Sequence, residues 1–296
     1  MTNRLLIFTN KDLESIYTLN LILPHIAQYT TNILISDKVG KPNRNPPAAL
    51  KELKFLEQSI PFDLIFPLLD SQKRKHKTNP EITYGFGLVT SDFGPQNLDF
   101  GLRTSFLTLQ ELSKHYSIPI ESFNDVKAAS SLEYIRSLQP DLVLSIRYGK
   151  IFGNEFVGIP PLGIINLHSG LLPHYRGVLA TFRAMMNQEK EIGCTLHFIE
   201  NAGIDTGGII GFVKIPVTPE KSLLSHILSL YPASRELIVS TIEKLFCGEQ
   251  IPRMVQEEST AAYFTFPTEP EIQAFSQQGW KFSDPDEYIS FIQQFL

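Results

Sequence analysis

Two short stretches carry polar side chains at a spacing that could do acyl-transfer chemistry. The first is Gly163-Ile164-Ile165-Asn166-Leu167-His168-Ser169-Gly170-Leu171-Leu172-Pro173. Side chains alternate along a strand, so Asn166 and His168 project from one face at its exit. An amide and an imidazole left unpaired there are costly, so they either bond loop carbonyls or serve a site. The second stretch is Asn201-Ala202-Gly203-Ile204-Asp205-Thr206-Gly207-Gly208. Glycines on both sides of Asp205 let the backbone turn sharply and come close to a ligand; the alternative is an Asp that caps the next turn. If Asp205 reaches His168, its carboxylate orients the imidazole and raises its basicity. Asn166 and a charged imidazole then stabilise an oxyanion, while the dyad draws a proton from an incoming group. That set suits transfer to a nucleophile brought by the substrate. Cys194, at the start of a strand, reads as a packing residue.

The elements that must position these residues follow from the periodicity. A β-like run over 5–8 leads through Thr9-Asn10, suited to a helix N-cap, into a helical stretch ending near Tyr29; a strand follows over 32–36. This is β-α-β, the unit of a parallel sheet. Residues 41–47 read as loop, 48–57 as helix, and 64–69 as either strand or buried helix. Residues 71–80 read as a loop whose Lys73-Arg74-Lys75-His76-Lys77 run either binds an anion or is simply solvated. Gly85-Phe86-Gly87 does not extend to a dinucleotide fingerprint. Farther on, helices are expected over 108–116, 128–138, 180–187 and 222–246, and strands over 118–120, 142–146, 163–167 and 194–199. The alternation predicts a doubly wound α/β fold with a mainly parallel sheet over 1–250, then a short helical C-terminal tail over 251–296. Sites of such folds lie beyond the carboxyl ends of the strands.

Composition narrows the functional classes. Of 296 residues, 43% are hydrophobic and 19% charged, which excludes a disordered or fibrous chain. No apolar run approaches the roughly 20 residues of a bilayer span, and the N-terminal residues do not read as a secretory leader. A cytoplasmic protein without membrane contact is expected. Two cysteines, Cys194 and Cys247, are too few for a disulfide framework and read as buried thiols. The formal net charge of -5 argues against a nucleic-acid partner held along its backbone.

The run Asn166-Leu167-His168-Ser169-Gly170-Leu171-Leu172-Pro173, then Arg176-Gly177, then Gly203-Ile204-Asp205-Thr206-Gly207, resembles the folate-dependent formyltransferases. These include glycinamide ribonucleotide transformylase, methionyl-tRNA formyltransferase and the sugar N-formyltransferases. The resemblance implies Asn166, His168 and Asp205 as the catalytic trio, 10-formyltetrahydrofolate as formyl donor, and no metal. It implies backbone recognition of the pterin by Tyr148, Gly149, Lys150, Ile151 and Phe152, and by Asn201, Gly203 and Ile204. The implied acceptor is the amine of a small metabolite, with a nucleotide-linked amino sugar first because the Ser145-Ile146-Arg147-Tyr148-Gly149-Lys150 run resembles the sugar enzymes. The methionyl-tRNA enzymes carry an additional C-terminal barrel where this chain has a helical tail, and usually a proline where it has Ala180. Hydroxyornithine and methionyl-tRNA are the alternative acceptors. A catalytically silent folate- or nucleotide-binding module is the alternative of another class, and a homodimer is compatible with the resemblance.

Overall fold

The computed structural model describes residues 3–37, 46–77 and 106–295. In chain order the elements are β1 (Leu5–Asn10), α1 (Leu13–Ile26), β2 (Thr30–Ser36), α2 (Ala48–Lys54), a π-helical stretch (Phe55–Ile65), α3 (Phe66–Lys77), α4 (Leu109–Tyr116), β3 (Ile120–Ser122), α5 (Ala129–Leu138), β4 (Leu142–Ile146), α6 (Asn154–Val157), β5 (Ile164–His168), β6 (Arg176–Gly177), α7 (Ala180–Met186), β7 (Glu191–Ile199), β8 (Ile209–Pro216), α8 (Leu223–Phe246), β9 (Tyr263–Phe264), α9 (Glu269–Gln277) and α10 (Pro285–Ile292).

Among the described residues the main sheet has seven strands in the order β3-β2-β1-β4-β5-β7-β8. From β3 through β5 every pairing is parallel; β5–β7 and β7–β8 are antiparallel. Both faces are covered, which is why the inner strands are continuous apolar runs. Alternate side chains feed separate cores: Leu5, Ile7, Leu142 and Leu144 join one cluster, Leu6, Phe8 and Val143 the other. The expected doubly wound, mainly parallel α/β fold is present, as are the C-terminal helices. The last residues pack inward: Phe275, Tyr288, Ile292 and Phe295 belong to the larger cluster, and β9 pairs with β6.

Several local expectations are corrected. The N-cap of α1 is Asp12, whose carboxylate accepts from Ser15 N–H, and the helix ends at Ile26 rather than near Tyr29. Residues 64–69 are helical, within one continuous run from Ala48 to Lys77. Its middle widens to a π-helix containing Pro61, which has no N–H to give to an α-helical ladder. Residues 73–77 continue α3 instead of forming a loop. The strand expected at 194–199 starts at Glu191, because its first residues pair with β8, a strand the sequence did not announce. Cys194 is buried, but Cys247 is exposed at the end of α8. Gly85-Phe86-Gly87 and most of 41–47 lie outside the described residues.

Candidate active site

β5 brings Asn166 and His168 to one face, and β7 lies beside it with His197 opposite Asn166 in register. Asn166 Nδ2 stands 3.1 Å from His197 Nε2, and His197 Nδ1 stands 2.9 Å from the carbonyl oxygen of Phe198. Nδ1–H donates to that carbonyl, an assignment made from the bonding pattern. His168 Nε2 lies 2.7 Å from Tyr175 O, and its Nδ1 lies 3.5 Å from Asp205 Oδ2. Both nitrogens thus face acceptors, an arrangement satisfied by the doubly protonated ring.

Because β7 runs antiparallel to β5, its carboxyl end lies beside the start of β5, not beside His168. Asp205 reaches the site because the loop after β7 returns over the sheet face. It does so with Asp205 itself at φ 54°, a left-handed conformation that side-chain-bearing residues seldom adopt. Asp205 Oδ2 accepts from Gly177 N–H at 2.8 Å, and Oδ1 is 3.5 Å from His197 Nε2. Burial by itself would push this carboxyl up. The charge taken up by His168 and His197, the His197 contact and the Gly177 N–H outweigh burial and hold it well below the usual carboxylate range. The expected trio is therefore brought together.

Close approach of the backbone completes the pocket around His168. A Cβ on Gly170 would stand 2.7 Å from His168 Nε2, 2.8 Å from Tyr175 O and 2.5 Å from Ala180 Cβ. No side chain fits there. Cys194 is fully buried and its thiol is pushed up to about 12 by burial, so it is held as the neutral thiol.

The two loops expected to receive a pterin lie side by side, tied by Ala202 N–H donating to Asn154 Oδ1 at 3.1 Å. Tyr148 and Phe152 turn their rings into the core around Phe8, and the Tyr148 hydroxyl donates to Phe123 O at 2.6 Å. Gly149 N–H donates to Asn10 Oδ1, and Gly203 N–H to Asn201 Oδ1. Among the described residues, the peptide groups of Lys150, Ile151, Phe152 and Ile204 have no protein hydrogen-bond partner, and Ile151 is exposed. Loops that spend their aromatic rings on packing and keep their peptide groups free fit a ligand whose ring edge alternates donors and acceptors. Among the described residues, no group of His, Cys, Asp and Glu is placed to hold a metal ion, and no helix is long and apolar enough to cross a membrane.

Sequence reasoning missed two contributors, His197 and Gln256, and quoted Arg176 only within the family motif, with no role of its own. His197 had a faint signal, a lone imidazole in the apolar run 194–199. Gln256 had none, since its partnership with Arg176 spans 80 positions.

Fold and site together describe a doubly wound α/β chain with an amide, an imidazole and a carboxylate gathered over one sheet face. Residues 110–241, just under half of the chain, match the family described as formyl transferase. It is 36% identical over 154 residues to the methionyl-tRNA formyltransferase of Moorella thermoacetica, covering 52% of this chain and 49% of that protein. The Dictyoglomus turgidum enzyme of the same name is 38% identical over 131 residues, covering 44% and 41%. The chain thus spans about half the length of the curated relatives it matches. Among solved structures, a sugar N-formyltransferase from a Shewanella species superposes with a TM-score of 0.51 at 18% identity, covering 92% of this chain and 86% of that one. Glycinamide ribonucleotide transformylase 1 from Symbiobacterium toebii gives 0.51 at 14% identity, covering 86% and 95%. These two likenesses establish the shared fold.

Proposed function

We propose that the protein moves a formyl group from 10-formyltetrahydrofolate to the amine of a small metabolite, a nucleotide-linked amino sugar being the first choice. The observation that carries this is the convergence of Asn166, His168 and Asp205 beside two adjoining loops with unpartnered peptide groups. When bound, the folate supplies a formyl carbon open to attack by an amine. Peptide groups of Lys150, Ile151 and Phe152 on one loop, and of Asn201, Gly203 and Ile204 on the other, hold the pterin, with Tyr148 and Gly149 anchoring the first loop to the core. The Asn166 amide donates toward negative charge developing on the transferred carbonyl oxygen. His168, fixed between Tyr175 O and Asp205, places positive charge beside it. Asp205, kept ionised, steadies that charge and assists removal of the amine proton.

The acceptor choice is supported by the acidic balance of the chain and by the 145–150 run. The protein would act as a soluble cytoplasmic enzyme. Methionyl-tRNA, the substrate named for the Moorella relative, is the second reading, favoured by the identity over half the chain. A panel settles the matter: 10-formyltetrahydrofolate is offered with amino-sugar nucleotides, hydroxyornithine and charged initiator tRNA, and the products are weighed. A formylated amino-sugar nucleotide is expected. Folate binding without formylation of any amine would replace the proposal with a silent binding module.

A further inference from the structure

We infer that Gln256, carried by the segment after α8, is a positioning residue that holds Asp205 in its working conformation; this rests on the trio reading above. Gln256 is buried, and every polar atom of its amide is used. Nε2 donates to the carbonyl oxygens of both Asp205 and Gly207, each at 2.8 Å. Oε1 accepts from Arg176 Nε at 3.0 Å and from Arg176 Nη2 at 2.8 Å. Arg176 in turn spans the Glu258 carboxylate through Nη1 at 3.0 Å and Nη2 at 2.7 Å.

The placement of these bonds gives them meaning. Asp205 is left-handed, a state that persists only where the surroundings over-determine it. Both donor hydrogens of Gln256 go to the peptides that follow that residue. The acceptor end grips Arg176, whose neighbour Gly177 donates to Asp205 Oδ2. One side chain therefore ties together both ends of the bond that aims the carboxylate at His168 and His197. Only a group with two donors and one acceptor in this plane can do so, which is the hydrogen-bonding inventory of a primary amide. The C-terminal segment thereby reaches into the site without touching the reacting atoms.

The test uses the full chain, 10-formyltetrahydrofolate and dTDP-4-amino-4,6-dideoxyglucose. Gln256→Glu keeps the shape and the acceptor toward Arg176 but removes both donors. Gln256→Met keeps the length and removes all polarity, and serves if the buried carboxylate of the first variant prevents folding. The expected result for the folded variants is a fall in kcat of about ten- to a hundredfold, the range set by small misplacements of a reacting group. The KM for the folate should stay within about threefold and the melting temperature near that of the parent. Wild-type kcat in both variants would overturn the inference, as would a raised KM with kcat unchanged, which would assign Gln256 to the folate loop. Asp205→Asn is measured alongside. If Asp205→Asn turns over normally, the trio reading falls and this inference with it; if it is inactive while both Gln256 variants work, the inference falls alone.

Discussion

At the residue scale, the proposed chemistry depends on a carboxylate kept ionised against its burial. Asp205 gains from two imidazoles and a peptide N–H what it loses in hydration. A carboxyl held below its unfolded value stabilises the fold above that value, and the contribution is lost as the pH falls through the folded one. Asp205→Asn should therefore flatten the loss of thermal stability as the pH falls below about 4, relative to the parent. Formyl transfer should fall by at least about 10²-fold in Asp205→Asn and in His168→Ala, the scale of lost acid–base and electrostatic help. Near-normal turnover in either variant would refute the trio. Gly170 makes a second case. A methyl group there meets a ring nitrogen, a carbonyl oxygen and Ala180 at once, so Gly170→Ala should cost turnover about tenfold or more by displacing the imidazole. An active Gly170→Ala enzyme would show that His168 tolerates displacement.

At the scale of elements, the start of α1 and the end of β4 share a buried charge cluster. Arg147, itself left-handed at φ 56°, contacts Asp12 at 3.0 Å, Glu14 at 3.5 Å and Glu57 at 3.7 Å. Glu14 is fully buried, and neither carboxylate oxygen accepts a hydrogen bond. Burial pushes its carboxyl well above the usual range; Arg147 pulls it down, but Glu57 and Asp12 add to the rise. A carboxyl raised in the folded state favours its protonated form, so its stabilising share is full below the unfolded value and lost as the pH climbs through the folded one. Glu14→Gln should then melt at a temperature that changes less than the parent's between about pH 5 and pH 8. Equal slopes for the two proteins would mean that Glu14 stays ionised. The same cluster fixes Arg147, two residues before the Gly149 N–H that bonds Asn10 at the root of the 148–152 loop.

For the molecule as a whole, the net charge of -5 sets the terms on which a partner is met. A tRNA held by 6–10 phosphate contacts loses about 10³–10⁵ in affinity between about 50 and 200 mM salt. A small amine acceptor should change its KM by less than about tenfold over that range. A steep salt dependence would turn the assignment toward methionyl-tRNA. The C-terminal residues bear on the whole molecule as well. They complete the core through Phe275 and Phe295, tie Arg183 to Glu271, pair β9 with β6, and deliver Gln256 to the loop of Asp205.

Much of the fold was legible locally. Short continuous apolar runs named β1, β4 and β5, and helix-period stretches named α4, α5 and α8, because burial on one or both faces leaves its mark along the chain itself. The run of 64–69 was ambiguous for the same reason: a short apolar stretch does not distinguish a strand from a buried helix, and in the fold it lies inside the helical run from Ala48 to Lys77. Asn166 and His168 were fixed to one face by alternation alone. The sequence by itself thus determined the kinds of group the site contains and the strand that presents two of them. Only the tertiary structure decided that β7 runs backwards, that the loop of Asp205 returns over the sheet, and that His197, Arg176 and Gln256 stand around it. Those contacts join residues far apart in the chain, and their energy comes from partners that no local pattern records.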